Sequence, residues 1–214
     1  MSIVYLNTGL PVARVDRHGQ EFTTGIAKQA TQRTLLLTSS GLFGDGSFED
    51  VHGGPDQTLH VFSHEHYAYF AQRAGQPLEH CAFGENLCLE GFTEHAVCVG
   101  DIWQLGDALV QVSMPTERCS TIGRRLHLPK MLHWIHERMM TGYYLRVLEP
   151  GNINANSAIT LQQRLHPQWS IDHLNQLLFN RRDSQLMAQA CAIVELSDVW
   201  KQRAWRLYKK AGVS

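Results

Sequence analysis

The sequence predicts a mainly β protein that ends in a small helical unit. Two observations indicate this fold class: short apolar segments separated by glycines fill most of the chain, and helical spacing replaces them after about Leu165. Many short strands broken by glycine favour a closed or nearly closed barrel, because a doubly wound α/β sheet needs long helices at regular intervals. We therefore expect a β-barrel domain over residues 1–163 and a three-helix domain over residues 164–214.

The clearest strand candidates are three segments of the first domain. Residues 3–6 and 33–38 are short and mostly apolar, and residues 108–114 alternate small or apolar side chains with a mixed set. Alternation with a period of two is typical of a strand that buries one face.

Helical spacing interrupts the strands. Ser63 is a candidate N-cap and Gly75 a candidate stop for a helix between them. The apolar face of this helix is formed by Tyr67, Phe70, Ala71 and Ala74. Residues 129–140 are a second candidate.

Three helices are predicted in the second domain. Ser170, Ser184 and Ser197 each precede apolar residues at helical spacing, as an N-cap does. These apolar residues are Ile171, Leu174, Leu177 and Leu178, then Leu186, Met187, Ala190 and Cys191, then Trp200, Ala204, Leu207 and Tyr208. From Arg181 onward the tail carries seven Lys or Arg and three acids. We expect a solvated helix face there, with docking of an acidic partner as the alternative.

Composition and charge exclude several function classes. The 214 residues include 19 Lys or Arg, 20 Asp or Glu and 12 His, for a formal net charge of −1. Stable binding to nucleic acid is not expected, because neutralising phosphates needs a surplus of positive charge. No apolar run approaches the roughly 18 residues that cross a bilayer, and no charged leader precedes an apolar core. We expect a soluble, cytoplasmic protein.

The five cysteines form no CxxC pair, so neither a zinc knuckle nor a thioredoxin-type pair is indicated. They are Cys81, Cys88, Cys98, Cys119 and Cys191. Cys119 differs from the others because it follows the alternating strand and stands beside Arg118. A nearby cation favours the thiolate, the form that acts as a nucleophile or binds a soft metal. The other four have apolar neighbours and are expected to pack as small core residues.

The densest polar segment spans residues 51–60. Gly53 and Gly54, before Pro55, predict a tight turn whose N–H groups can bind an anion. The side chains beside this turn are His52, Asp56 and His60. The alternative is a plain turn in which these side chains cap backbone groups.

Residues 83–87, Phe-Gly-Glu-Asn-Leu, predict a second turn. Asn86 can both donate and accept, so it can bind the edge of a heterocycle. Its alternative role is to hold the turn through the backbone.

Taken in order, these motifs resemble the MOSC domain family, named for the C-terminal domain of molybdenum cofactor sulfurases. The resemblance is closest to the YiiM-like bacterial branch, which is associated with resistance to N-hydroxylated purines. The matching segments are Gly44-Asp45, residues 51–56, Glu65-His66-Tyr67, residues 83–87, Gly100-Asp101 and the strand that leads to Cys119. The three-helix tail is similar to the short α domain that follows the barrel in that branch.

The resemblance implies a MOSC-type β-barrel that holds a molybdopterin-type molybdenum cofactor, with Cys119 as metal ligand and catalytic residue. The candidates for binding the rest of the cofactor are His52, Gly53, Gly54, Asp56, Asn86 and Arg118. It further implies an oxidoreductase that detoxifies N-hydroxylated compounds such as hydroxylaminopurine-like bases. A separate reductase would supply electrons, since the chain has no nucleotide-binding fingerprint and no iron–sulfur cysteine cluster.

The segment before Cys119 departs from the YiiM-like pattern. That branch has Gln-Pro-Arg shortly before its Pro-Cys, whereas this chain reads Met-Pro-Thr-Glu-Arg-Cys over residues 114–119. Arg118 directly precedes the cysteine, an arrangement that is similar to the related amidoxime-reducing branch, so either anion binding is retained by another route or the substrate differs. Two alternatives stay open: a sulfur carrier with a persulfide on Cys119, and a ligand-binding module without turnover. The sequence also leaves a homodimer open.

Overall fold

A computed structural model describes residues 2–46, 54–180 and 183–210. For residues 209 and 210 it describes the backbone only. The strands are β1 (Ser2–Thr8), β2 (Val12–Val15), β3 (Glu21–Thr24), β4 (Gln29–Ala30), β5 (Leu35–Thr38), β6 (Gly41–Leu42), β7 (Leu59–Ser63), β8 (Leu87–Glu90), β9 (Ile102–Leu105), β10 (Ala108–Pro115), β11 (Tyr143–Glu149), β12 (Gly151–Ile153) and β13 (Ile159–Gln163). The helices are α1 (His66–Ala74), α2 (Thr121–Leu126), α3 (Met131–Arg138), α4 (Ile171–Phe179), α5 (Ser184–Cys191) and α6 (Asp198–Lys210).

Eight of the strands form one curled sheet in the order β13-β9-β10-β11-β7-β8-β1-β4. All neighbours are antiparallel except β7 and β8, which run parallel. The mainly β fold class is confirmed, in the form of a half-barrel: within the described residues, the edge strands β13 and β4 do not pair with each other. Two small sheets, β12-β5-β6 and the hairpin β2-β3, complete the strand structure.

The barrel core is filled by the inward-facing side chains of the large sheet. Leu6, Leu59, Val110 and Val112 are fully buried in one apolar cluster. The register of β10 against β11 shifts between Val112 and Met114. Such a bulge re-aims the side chains beyond it. Met114 accordingly leaves the barrel core and joins a second apolar cluster, formed by the tail helices.

The helix predicted after Ser63 is present, but its predicted cap is wrong. The N-cap of α1 is Glu65, and Ser63 is the last residue of β7. Ser63 is buried and its hydroxyl donates to the carbonyl of Phe92 at 2.9 Å, so it is not available to a helix end. The predicted stop is confirmed, because Gly75 ends α1 in the left-handed region with φ 68°.

The three predicted tail helices are present as α4, α5 and α6. Ser170 caps α4 by accepting the N–H of His173 at 3.1 Å, whereas Asp183, one residue before the predicted Ser184, caps α5. Their apolar cluster includes Trp200 and also Met114 of β10, so the tail packs against the barrel. The boundary between two domains stays a prediction. No helix of the described residues is long and apolar enough to cross a membrane.

Candidate functional site

A cavity of about 210 Å³ lies where the end of β10 meets the hairpin β2-β3 and the segment after β6. Its lining includes the predicted residues Gly54, Asn86, Arg118 and Cys119. His60, placed beside the predicted anion-binding turn, and Asp45 of the Gly44-Asp45 motif also line it. Sequence reasoning assigned no role to five further lining residues: Thr23, Thr24, Lys28, Glu117 and Tyr144. The cavity therefore brings several of the predicted site residues together.

Cys119 lies on the short connection between β10 and α2, and its side chain is exposed. Cys81, Cys88 and Cys98 are instead buried, as predicted, and Cys191 is half-buried. Burial raises the pKa of all four of these other thiols. A raised pKa suppresses the thiolate, which is the reactive and metal-binding form. Among the cysteines of the described residues, Cys119 is the one that lines the cavity.

Arg118 points into the protein beneath Cys119. Its Nε donates to the carbonyl of Thr141 at 2.7 Å, and Nη1 donates to the carbonyl of Phe83 at 2.8 Å. Nη2 donates to Nε2 of His60 at 2.8 Å. All three acceptors are neutral, and burial lowers the pKa of the guanidinium. A buried cation of this kind favours an anion nearby.

His60 lies on β7 and is only 6% exposed. Burial and, second, the charge of Arg118 lower its pKa well below the ordinary value, so the imidazole is neutral. Since Nε2 accepts from Arg118, the ring proton is assigned to Nδ1. The neutral ring adds no negative charge next to Arg118, and the carboxylates that act on the guanidinium are those of Glu85 and Glu94.

Asn86 is held by hydrogen bonds within the protein. Its Oδ1 accepts the N–H of His60 at 3.0 Å, and its Nδ2 donates to Asp45 Oδ2 at 2.9 Å. Asp45 also accepts the N–H of Gly9 at 3.0 Å and forms an ion pair with Lys28. The described contacts match the backbone-holding role of Asn86, and its role towards a cofactor stays a prediction. The Gly44-Asp45 motif was the sequence signal for this network.

The 51–60 turn is only partly brought to the cavity. His52 and Gly53 lie outside the described residues. Gly54 lines the cavity with φ 102°, a conformation that glycine tolerates best. Asp56 was expected at the site but does not line the cavity. Its carboxylate instead pairs with Arg146 at 2.7 Å.

The described residues contain no group of three or more His, Cys, Asp or Glu side chains arranged to hold a metal ion. Two histidines close to His60 in the sequence, His64 and His66, contact residues outside the cavity lining. Nε2 of His66 contacts Glu94 at 2.5 Å, and His64 is exposed and stacks on Tyr67.

The MOSC domain model matches residues 49–160, just over half of the chain. The chain belongs to the MOSC domain family. This MOSC protein is 36% identical over 146 residues to protein YiiM of Escherichia coli (strain K12), a match that covers 66% of this chain and 65% of that protein. It is 32% identical over 206 residues to the uncharacterized protein YflK of Bacillus subtilis (strain 168), covering 96% and 91%.

Solved structures support the YiiM-like branch. The crystal structure of YiiM from Geobacillus stearothermophilus matches with a TM-score of 0.82 and 31% identity, covering 97% of this MOSC protein and 98% of that chain. A protein of Gibberella moniliformis (strain M3125 / FGSC 7600) with the name "Reductase" is 30% identical over 186 residues, or 85% of this chain. The match spans only 33% of that longer protein.

Proposed function

We propose that this MOSC protein is an oxidoreductase that binds a molybdenum cofactor through Cys119 and reduces N-hydroxylated compounds. One observation carries the proposal: the exposed thiol of Cys119 stands at a cavity beside the buried guanidinium of Arg118, whose described acceptors are all neutral. A thiolate suits a soft metal centre. A guanidinium that has N–H groups left over from its protein contacts suits the phosphate of a molybdopterin-type group.

The described residues fit such a group in a simple division of roles. Cys119 Sγ would bind the metal. Arg118 has five N–H groups, and three of them are engaged with protein acceptors, so two remain for an anion. When bound, the cofactor supplies the two electrons that break the N–O bond of the substrate.

Other lining residues would orient the substrate and hold protons. The reduction R–NHOH + 2 H⁺ + 2 e⁻ → R–NH₂ + H₂O needs protonated groups near the N–O bond. Burial raises the pKa of Tyr144, so its hydroxyl stays protonated and can donate a hydrogen bond in the cavity. Phe83, Leu42 and Ile122 add apolar lining that suits a planar base and excludes water.

Electrons would come from a separate reductase in the cytoplasm. The fungal relative with the name "Reductase" supports this step. The match covers only 33% of that protein, so the remaining two thirds has room for a part that supplies electrons. The expected detoxification role and the small N-hydroxylated substrate belong to the same proposal. It requires no nucleic acid partner, and it leaves a homodimer open.

The test is an activity assay on protein from a molybdate-supplied host, with reduced methyl viologen as electron donor and 6-hydroxylaminopurine as substrate. We expect substrate-dependent oxidation of the viologen, and a rate at least about 100-fold lower in Cys119→Ser, because the metal would lose its protein ligand. Cys191→Ser is the matched control, since Cys191 is the other cysteine with partial exposure. Equal rates in both variants would refute the proposal.

The same preparation tests the sulfur-carrier alternative. An exposed thiol at a cavity also suits a persulfide, so mass spectrometry of metal-free protein is informative. A persulfide on Cys119, together with no viologen oxidation, would favour the carrier function.

A further inference from the structure

The segment that carries Cys119 is contacted from outside the barrel by the last helix of the tail. Nη1 of Arg203, in the middle of α6, forms an ion pair with Oε2 of Glu117. The two side chains are 33% and 29% exposed, so the pair is partly shielded from water. Glu117 lines the cavity and lies two residues before Cys119. The ion pair therefore connects the tail directly to the cysteine segment.

Two further contacts join the tail to the same strand end. The N–H of Ser197 donates to the carbonyl of Ser113 at 3.0 Å. Met114 is buried in the apolar cluster of the tail helices, together with Trp200. Tyr144, which lines the cavity, packs against that cluster as well. The tail thus contacts the chain at three successive points before Cys119.

Backbone hydrogen bonds anchor the connection at both of its ends. The N–H of Thr116 donates to the carbonyl of Gly142 at 3.0 Å, and the carbonyl of Cys119 accepts from Ile122 at 3.4 Å, a long contact. Two side chains restrain the segment between these ends. Arg118 holds the segment from the inside, and the ion pair of Glu117 holds it from the outside.

The ion pair with Arg203 compensates the partly buried carboxylate of Glu117. Its Oε1 is buried and has no hydrogen-bond partner among the described residues. Without Arg203, the carboxylate would be left partly buried and unpaired, which is costly. Rotation of the Glu117 side chain towards water would relieve this cost, and the cysteine segment would then lose its ion-pair contact with the tail.

We infer that Arg203 and Glu117 are positioning residues, and that the three-helix tail holds Cys119 at the cavity through them. The importance of this for catalysis rests on the proposed function of Cys119. The restraint itself does not depend on any cofactor, so it can be measured on the metal-free, full-length protein.

The experiment compares amide hydrogen exchange in wild type, Arg203→Gln and Arg206→Gln. Arg206 is the matched control, because it is exposed on the same helix and its described hydrogen bond goes to the Gln202 carbonyl at 3.4 Å. We expect about tenfold faster exchange at the Thr116 amide in Arg203→Gln, a size between those of exposed and buried ion pairs. Exchange at the Val112 amide, which donates to the backbone carbonyl of Asp101, should stay unchanged.

A charge exchange separates positioning from general stability. The double variant Arg203→Glu/Glu117→Arg should slow exchange at Thr116 back towards wild type, whereas each single variant should not. If Arg203→Gln is too unstable to measure, Arg203→Lys replaces it, with a smaller increase expected. Exchange at Thr116 that is equal in the Arg203 and Arg206 variants, or acceleration across the whole tail and barrel, would overturn the inference. A wild-type protein without molybdenum would refute the proposed function and leave this result standing.

Discussion

His60 gives the folded protein a specific sensitivity to acid. The ring is buried on β7, and its centroid lies 5.5 Å from that of the Tyr144 ring. Its Nε2 accepts a hydrogen bond from Arg118 at 2.8 Å. Burial first, then the charges of Arg118 and Lys28, lower its pKa well below the ordinary histidine value of 6.5. Below pH 6.5 the unfolded chain therefore binds a proton that the folded chain rejects.

The size of this effect follows from proton linkage. The contribution is fully present above the unfolded pKa of 6.5 and is lost as the pH falls towards the folded pKa. One extra proton bound in the unfolded state lowers the free energy of unfolding by up to about 1.4 kcal/mol per pH unit. The variant His60→Gln cannot titrate but still offers Arg118 an acceptor, so it should remove this part of the pH dependence.

Urea unfolding at a series of pH values between about 7.5 and 5 measures the effect. We expect the acid loss of stability to be shallower in His60→Gln than in wild type by up to about 1.4 kcal/mol per pH unit. His64→Gln is the matched control, because His64 is exposed and lies four residues away. If His60→Gln keeps the full wild-type slope, the neutral, buried imidazole is the wrong description.

Two further predictions concern the cavity wall and the strand beneath it. Phosphate should raise the Tm of wild type by more than that of Arg118→Met, because only wild type has the guanidinium that binds the anion. The general salt effect is common to both proteins. Equal Tm shifts would contradict an anion site. Gly142→Ala should lower the free energy of unfolding by at least about 2 kcal/mol, since φ is 73° and the added Cβ would lie 2.4 Å from the Val61 carbonyl oxygen. Gly19→Ala, at φ 77° but with nothing within 4 Å, should cost only about 1 kcal/mol by urea unfolding, and equal costs would refute this explanation.

Local patterns were sufficient for the elements that depend on local sequence. The alternation over residues 108–114 corresponds to β10, and the three tail helices begin within one residue of the predicted serines. The bulge after Val112 was not predictable, because it depends on how β10 pairs with β11. The wrong cap at Ser63 also reflects a tertiary contact. Ser63 ends a strand, and its hydroxyl donates to the carbonyl of Phe92, which the local sequence does not indicate.

The candidate site divides in the same way. Cys119, Arg118 and Asn86 were predicted from motifs and line the cavity. Tyr144 was missed because it reaches the cavity through its pairing with Met114 across β10 and β11, which no local spacing encodes. The ion pair of Glu117 with Arg203 joins the barrel to the last helix, so it also depends on tertiary packing.

The measurement that tests the central claim most directly is the molybdenum content of purified protein from a molybdate-supplied host. Elemental analysis should find about one molybdenum atom per chain in wild type and in Cys191→Ser, and almost none in Cys119→Ser, because a single thiolate supplies the protein ligand. Molybdenum that is absent from wild type, or equally retained in Cys119→Ser, would contradict the role assigned to Cys119.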